Sequence, residues 1–368
     1  MPTRQKVFFL TGLFMILSTM VFAADQLVFV TLITRHGDRS PFTNIKNANY
    51  KWKTPLEQLT PIGMKEEYML GKKLRKRYVN NLKLLKPNYV DDSIYAVSSD
   101  YNRTIESAEC LLTGLYPPRT GPKLENGKNA LPYGIQPIPV RTVSKTSHLI
   151  MMPYLQYVAI LKEYIYPSKV WQAKDKEYQP EFKEWTKILG NKITTLANIL
   201  GVGDVLIVAE HHNKPLPKGL SKENAKKIID LTSWGLATQF KSEKVSYLMG
   251  GELFNRIADN IKDAAAEKSK YKLVYYSGHD ITILPIMSLL GVPLKNSPGY
   301  AANIEYELYK TDASAYIIKI RYNGNYVKLP IMDGKNQCTL EAFMKYVKEV
   351  NAKYSTPKAG ASKQPLLF

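Results

Sequence analysis

The 368-residue sequence predicts an α/β protein with a central mixed, mostly parallel sheet, flanking helices and a mostly helical insertion. Three observations lead there. Residues 27–34 (LVFVTLIT) form an unbroken apolar, β-branched run, the pattern of a strand covered on both faces. Short strand-like runs alternate with helical spacing on either side of the middle of the chain. In the middle itself, helical spacing runs from 148 to about 200 without a convincing strand.

In order along the chain, residues 57–78 carry helical spacing, with Met64, Tyr68 and Leu74 set among Lys, Arg and Glu. Residues 93–98 read as a second strand and 104–115 as the helix after it. The stretch 117–139, rich in Pro, Gly and Asn, reads as loop. Residues 205–209 fit another buried strand, 222–240 and 251–266 helices, 273–276 a strand, and ITILPIMSLLG at 281–291 a helix. Alternation over 303–309 and 315–322 suits antiparallel strands, and NGN at 323–325 marks a turn. No internal repeat appears, and the tail over 353–368 is expected to be poorly ordered. The expected division is an α/β domain over 24–145 and 236–368, with a mostly helical insertion over 146–235.

Residues 1–23 read as a secretory signal peptide. Arg4 and Lys6 precede an apolar run over 7–22, and Val21 and Ala23 stand at −3 and −1 of a cut after Ala23. The mature chain is then expected in the periplasm or outside the cell, without stable membrane insertion. Lys and Arg number 51 against 32 Asp and Glu, a net charge of +19 that becomes +17 once the signal is removed. Such a field favours anionic partners: phosphorylated small molecules, nucleic acid or acidic membrane surfaces. Aliphatic and aromatic residues throughout exclude disorder as the dominant state. The single long apolar run excludes a polytopic membrane protein. The 25 tyrosines scatter without a nucleic-acid motif, so nucleic acid is not an expected partner. Cys110 and Cys338 allow at most one bridge and are read as unpaired. No CxxC or CxxH spacing and no dense Asp/His cluster supports a metal, and no cofactor is expected.

Three segments carry chemistry: TRHGDRSPF at 34–42, SSDYNRTIESA at 98–108 and YSGHDITI at 276–283. Each follows a predicted strand, where α/β sheets bind ligands. A phosphomonoester is dianionic near neutrality, and the guanidinium forks of Arg35, Arg39 and Arg103 match its oxygens. A histidine among arginines can attack phosphorus and divide hydrolysis into two easier steps, and His36 is placed for it. Gly37 is read as letting the backbone approach the phosphate without a Cβ. The departing alkoxide needs a proton, for which a protonated Asp280 is the natural acid, while His279 can donate to the same phosphate. Asp38 is read as an ion-pair partner for a nearby arginine, and His148, His211 and His212 as structural or surface residues.

At these residues the sequence resembles the histidine acid phosphatase family, through RHGDRSP at 35–41, the later HD at 279–280, Arg103, IQPIPVRTV at 135–143 and HNKPLP at 212–217. The resemblance implies an α/β domain with a helical cap and a secreted acid phosphatase acting on small-molecule phosphomonoesters. It implies His36 as nucleophile, Asp280 as proton donor, and Arg35, Arg39, Arg103 and His279 as phosphate ligands. The chain departs from animal members, which carry several disulfides. Two alternatives stand beside this reading. A phytase-type inositol phosphate phosphatase would keep every one of these residues, although Phe42 follows Pro41 where the phytase-like motif has Thr. A non-catalytic basic surface-binding protein would be expected to have lost some of them.

Overall fold

The computed structural model describes residues 25–354. Its centre is an eight-stranded sheet of β1 (Gln26–Arg35), β2 (Ile94–Ser99), β3 (Val140–Val143), β4 (Leu273–Gly278), β5 (Asn303–Lys310), β6 (Tyr316–Tyr322), β7 (Asn325–Tyr326) and β8 (Cys338–Thr339). The spatial order is β3-β2-β4-β1-β5-β6-β7, with β8 also paired to β6. Strands β3, β2, β4 and β1 run parallel, whereas β5 lies antiparallel on β1 and β6 antiparallel on β5. The mixed α/β sheet expected from the sequence is therefore present.

Strand β1 is apolar on both faces because helices cover both. Val30 and Leu32 pack with α1 (Pro61–Leu74) and α2 (Asn102–Leu115), through Leu74, Leu111 and Leu115. Phe29 and Ile33 pack on the opposite side with α8 (Glu243–Ala265), α9 (Asp280–Leu289) and α10 (Leu340–Tyr354), through Phe254, Ile283 and Phe343. A third apolar core joins α3 (Tyr154–Ile160), α4 (Lys169–Glu177), α5 (Gln179–Leu189), α6 (Leu196–His211) and α7 (Lys222–Thr238), centred on Trp171, Trp185, Val205 and Ile228.

The structure corrects one element. Residues 205–209 are not a strand but the last turns of α6. A five-residue apolar run has no period of its own, and its environment decides. Here Val202, Val205 and Leu206 enter the third core, and Thr195 with Asn198 caps the helix start. Strand β3, short and half-exposed at the sheet edge, went unpredicted. Cys110 and Cys338 are separate free thiols. No helix among the described residues is long and apolar enough to cross a membrane. The signal segment over 1–23 and the tail beyond 354 lie outside the described residues.

The sheet register positions the site. Thr34 of β1 and Ser98 of β2 both pair with Ser277 of β4, so the carboxyl ends of these strands lie side by side. The three chemistry-bearing segments leave the sheet at those ends.

Candidate active site

His36 follows the last residue of β1 and is 2% exposed. Its N–H donates to the Gly278 carbonyl at 2.9 Å, and the Arg35 N–H donates to Ala302 O at 2.8 Å, which pins the turn between β4 and β5. His36 Nδ1 lies 2.8 Å from Gly37 O. A carbonyl only accepts, so the proton sits on Nδ1 and Nε2 keeps its lone pair. Burial first, then Arg35, Arg103, Arg39 and His279, hold this imidazole well below the usual 6.5. It is therefore neutral and nucleophilic. His279, at the start of α9, sits edge-on with ring centroids 5.5 Å away. Burial and the same three arginines lower its pKa as well, and its Nε2 lies 2.8 Å from Ser99 Oγ.

Three guanidiniums converge on this pair. Arg35 meets Asp280 at 3.1 Å and lies over the Tyr300 ring at 4.4 Å. Arg39, 1% exposed, is gripped by both oxygens of Asp204 at 2.8 and 3.1 Å and stacks on Phe42 at 3.7 Å. Arg103, in the first turn of α2, reaches Glu57 at 3.3 Å and lies 4.7 Å from the Tyr101 ring centre. Each arginine thus has one carboxylate. Each also has a buried Nε with no protein partner. Three buried donors without a protein partner, on the arginines whose charges act on His36, suit an acceptor-only, polyanionic group. Asp280 accepts the Ile281 N–H at 2.8 Å through its other oxygen, at the mouth of the same cluster. The structure therefore brings together all six residues expected from the sequence: Arg35, His36, Arg39, Arg103, His279 and Asp280.

Two local readings change. A Cβ on Gly37 would stand 2.4 Å from Gly63 O of α1, so the glycine is required by backbone–backbone contact, and its N–H is already taken by Ser107 Oγ at 3.1 Å. Gly37 is required by packing against α1. Asp38 does not pair with an arginine either. Its carboxylate accepts from His212 Nε2 at 2.7 Å and from the Thr60 hydroxyl, which ties the loop after β1 to the end of α6. His211 is similarly structural, 3.0 Å from Glu66.

Asp204, Glu57, Tyr300 and Ser99 were not singled out from the sequence. Asp204 had a signal: it is the one charged residue between Leu196 and Ala209, and an acid in so apolar a run needs a cationic partner. Tyr300, whose hydroxyl burial pushes up to about 12, had none.

The family profile described as histidine phosphatase superfamily (branch 2) matches residues 26–199 and 236–323. The chain belongs to that superfamily. Within it, the chain is a member of the histidine acid phosphatase family. It is 32% identical to a prostatic acid phosphatase of Homo sapiens over 339 residues, covering 88% of this chain and 85% of the relative. It is 31% identical to a lysosomal acid phosphatase of Xenopus laevis, covering 87% and 76%. The fold is shared with solved structures at lower identity. The Citrobacter braakii phytase superposes with a TM-score of 0.65 at 16% identity, covering 88% of this chain and 98% of that one. The Hafnia alvei phytase in complex with myo-inositol hexakis sulphate also gives 0.65, at 15% identity, covering 89% and 98%.

Proposed function

We propose that this protein is an exported acid phosphatase that hydrolyses phosphate monoesters through a phosphohistidine on His36. The observation that supports it most is the trio of open guanidinium Nε atoms around an imidazole whose Nε2 lone pair is free. In the first step His36 Nε2 bonds to phosphorus and the ester P–O bond breaks. Its electron pair goes to the leaving oxygen, which takes the proton of Asp280. Arg35, Arg39, Arg103 and His279 hold the phosphoryl oxygens as charge shifts among them. Water then attacks phosphorus and gives its proton to Asp280. The P–N bond breaks, which restores neutral His36 and releases phosphate. The helices within 146–235 are assigned as the cap over this cleft.

The names of the relatives support the acid phosphatase reading. The likeness to phytases supports the fold only. The retention of all six residues disfavours a purely non-catalytic binding protein. Turnover of p-nitrophenyl phosphate in the presence of a chelator tests the proposal. Activity is expected to persist there and to vanish in His36→Ala. Loss of activity on chelation, or its survival in His36→Ala, contradicts it.

A further inference from the structure

Among the three carboxylates facing the arginines, Glu57 differs from the others. Asp204 is bound by two guanidinium nitrogens and by the Phe42 N–H at 2.9 Å. Asp280 is 18% exposed and lies beside the reacting centre. Glu57 is 43% exposed and holds Arg103 by one contact of 3.3 Å. Its backbone is left-handed, with φ +65°, a conformation that costs a non-glycine residue and recurs where function sets geometry. The segment is fixed nonetheless. The Glu57 N–H donates to Pro41 O at 3.2 Å, the Ser40 N–H to Gln58 O at 3.0 Å, and the Thr60 N–H to Asp38 O at 3.0 Å. Glu57 is thus held at the mouth by its backbone and only loosely by its side chain.

Three carboxylates already face three guanidiniums, so an entering phosphate dianion overfills the site with negative charge. One carboxylate must let go or take up a proton. Asp280 is the proposed proton carrier and Asp204 the most strongly bound, which leaves Glu57 to release Arg103. Because its backbone is fixed, the freed carboxylate stays close to Arg103 and exposed to whatever the substrate carries beyond its reacting phosphate. Phe42, 47% exposed, covers the Arg39 guanidinium and withholds that cation from anything outside the phosphate site.

We infer that Glu57 is a specificity-determining residue that makes this cleft prefer singly phosphorylated esters and disfavour substrates bearing a second phosphate. The inference rests on the phosphomonoesterase reading above. Initial rates on fructose 6-phosphate and fructose 1,6-bisphosphate test it, because the two share one sugar. The quantity read is the KM ratio, bisphosphate over monophosphate, for wild type, Glu57→Gln and Glu57→Lys. A half-exposed charge contact changes affinity by about two- to fivefold, so Gln should lower the ratio by that factor and Lys should lower it further. The wild-type ratio should also shrink at high salt, as screening weakens the repulsion. A ratio that ignores the charge series, or both KM values falling in parallel, overturns the inference while leaving the phosphatase reading intact. Absence of turnover on both sugar phosphates while wild type still hydrolyses p-nitrophenyl phosphate overturns the inference alone, and absence of turnover on all three overturns both.

Discussion

Asp204→Asn isolates the residue that sets Arg39. The exchange keeps the shape and removes one charge. Oδ2 accepts both the Phe42 N–H and one Arg39 nitrogen, so an Asn oxygen placed there keeps those two bonds while its amide turns N–H groups toward the other guanidinium nitrogen. Arg39 is 1% exposed in its side chain and Asp204 13%, so the guanidinium cannot turn to water for compensation. Breaking a buried pair from one side costs roughly 3–5 kcal/mol. The exposure of Asp204 and its surviving oxygen favour the lower end, about 3 kcal/mol. In a chain of this size that lowers Tm by about 5 °C. The catalytic loss is separable, because Arg39 is aimed by this contact and a misplacement of about 1 Å costs on the order of 100-fold in rate. Thermal unfolding and p-nitrophenyl phosphate kinetics, with inorganic phosphate as competitive inhibitor, read the two effects. Weaker phosphate inhibition together with a lower Tm is expected. A D204N protein with wild-type Tm and unchanged phosphate affinity would refute the argument that Asp204 holds the anion site in shape.

Burial and neighbouring arginines hold His36 and His279 below the usual imidazole value, so the unfolded chain takes up protons near pH 6.5 that the folded chain refuses. Their contribution to stability is present above that pH and is lost as pH falls toward the folded values, at up to about 1.4 kcal/mol per pH unit for each proton. His36→Ala should therefore flatten the decline of Tm between pH 7 and 5, and an unchanged slope counts against a neutral His36. Asp280→Asn should slow glycerol phosphate hydrolysis by about 100- to 10,000-fold but nitrophenyl phosphate far less, because nitrophenolate departs without a proton. Equal losses on both substrates argue against Asp280 as the leaving-group acid. N-terminal sequencing of the native protein should begin at Ala24, and finding Met1 or Pro2 contradicts signal cleavage.

What could be read from the residues was what local pattern controls. The apolar run at 27–34 and the HD after 273–276 announced strands ending at a site, and the register of β1, β2 and β4 places them together. What stayed hidden depends on contacts between distant segments. Nothing local ties Asp38 to His212 across 174 residues, or Glu57 to Arg103 across 46. From the sequence Gly37 reads as easing backbone approach to phosphate because it adjoins His36 and has no Cβ, whereas the contact that requires it is Gly63, a residue on α1. The strand expected at 205–209 failed for the same reason. A short apolar run takes the form its surroundings offer, and here they are helices. Reading Asp204 as an acid in need of a cationic partner would have pointed to the anchor of Arg39.

The proposed mechanism turns on a covalent bond between phosphorus and His36. Rapid denaturing quench during turnover of a 32P-labelled monoester, followed by digestion and peptide mapping, tests it directly. Asp280→Asn helps here, since an impaired second step lets the intermediate build up with nitrophenyl phosphate. Label is expected on the peptide containing His36, stable to alkali and lost in acid, and absent from His36→Ala. Label on any other residue, or turnover with no covalent phosphate under conditions where the second step is slowed, contradicts it.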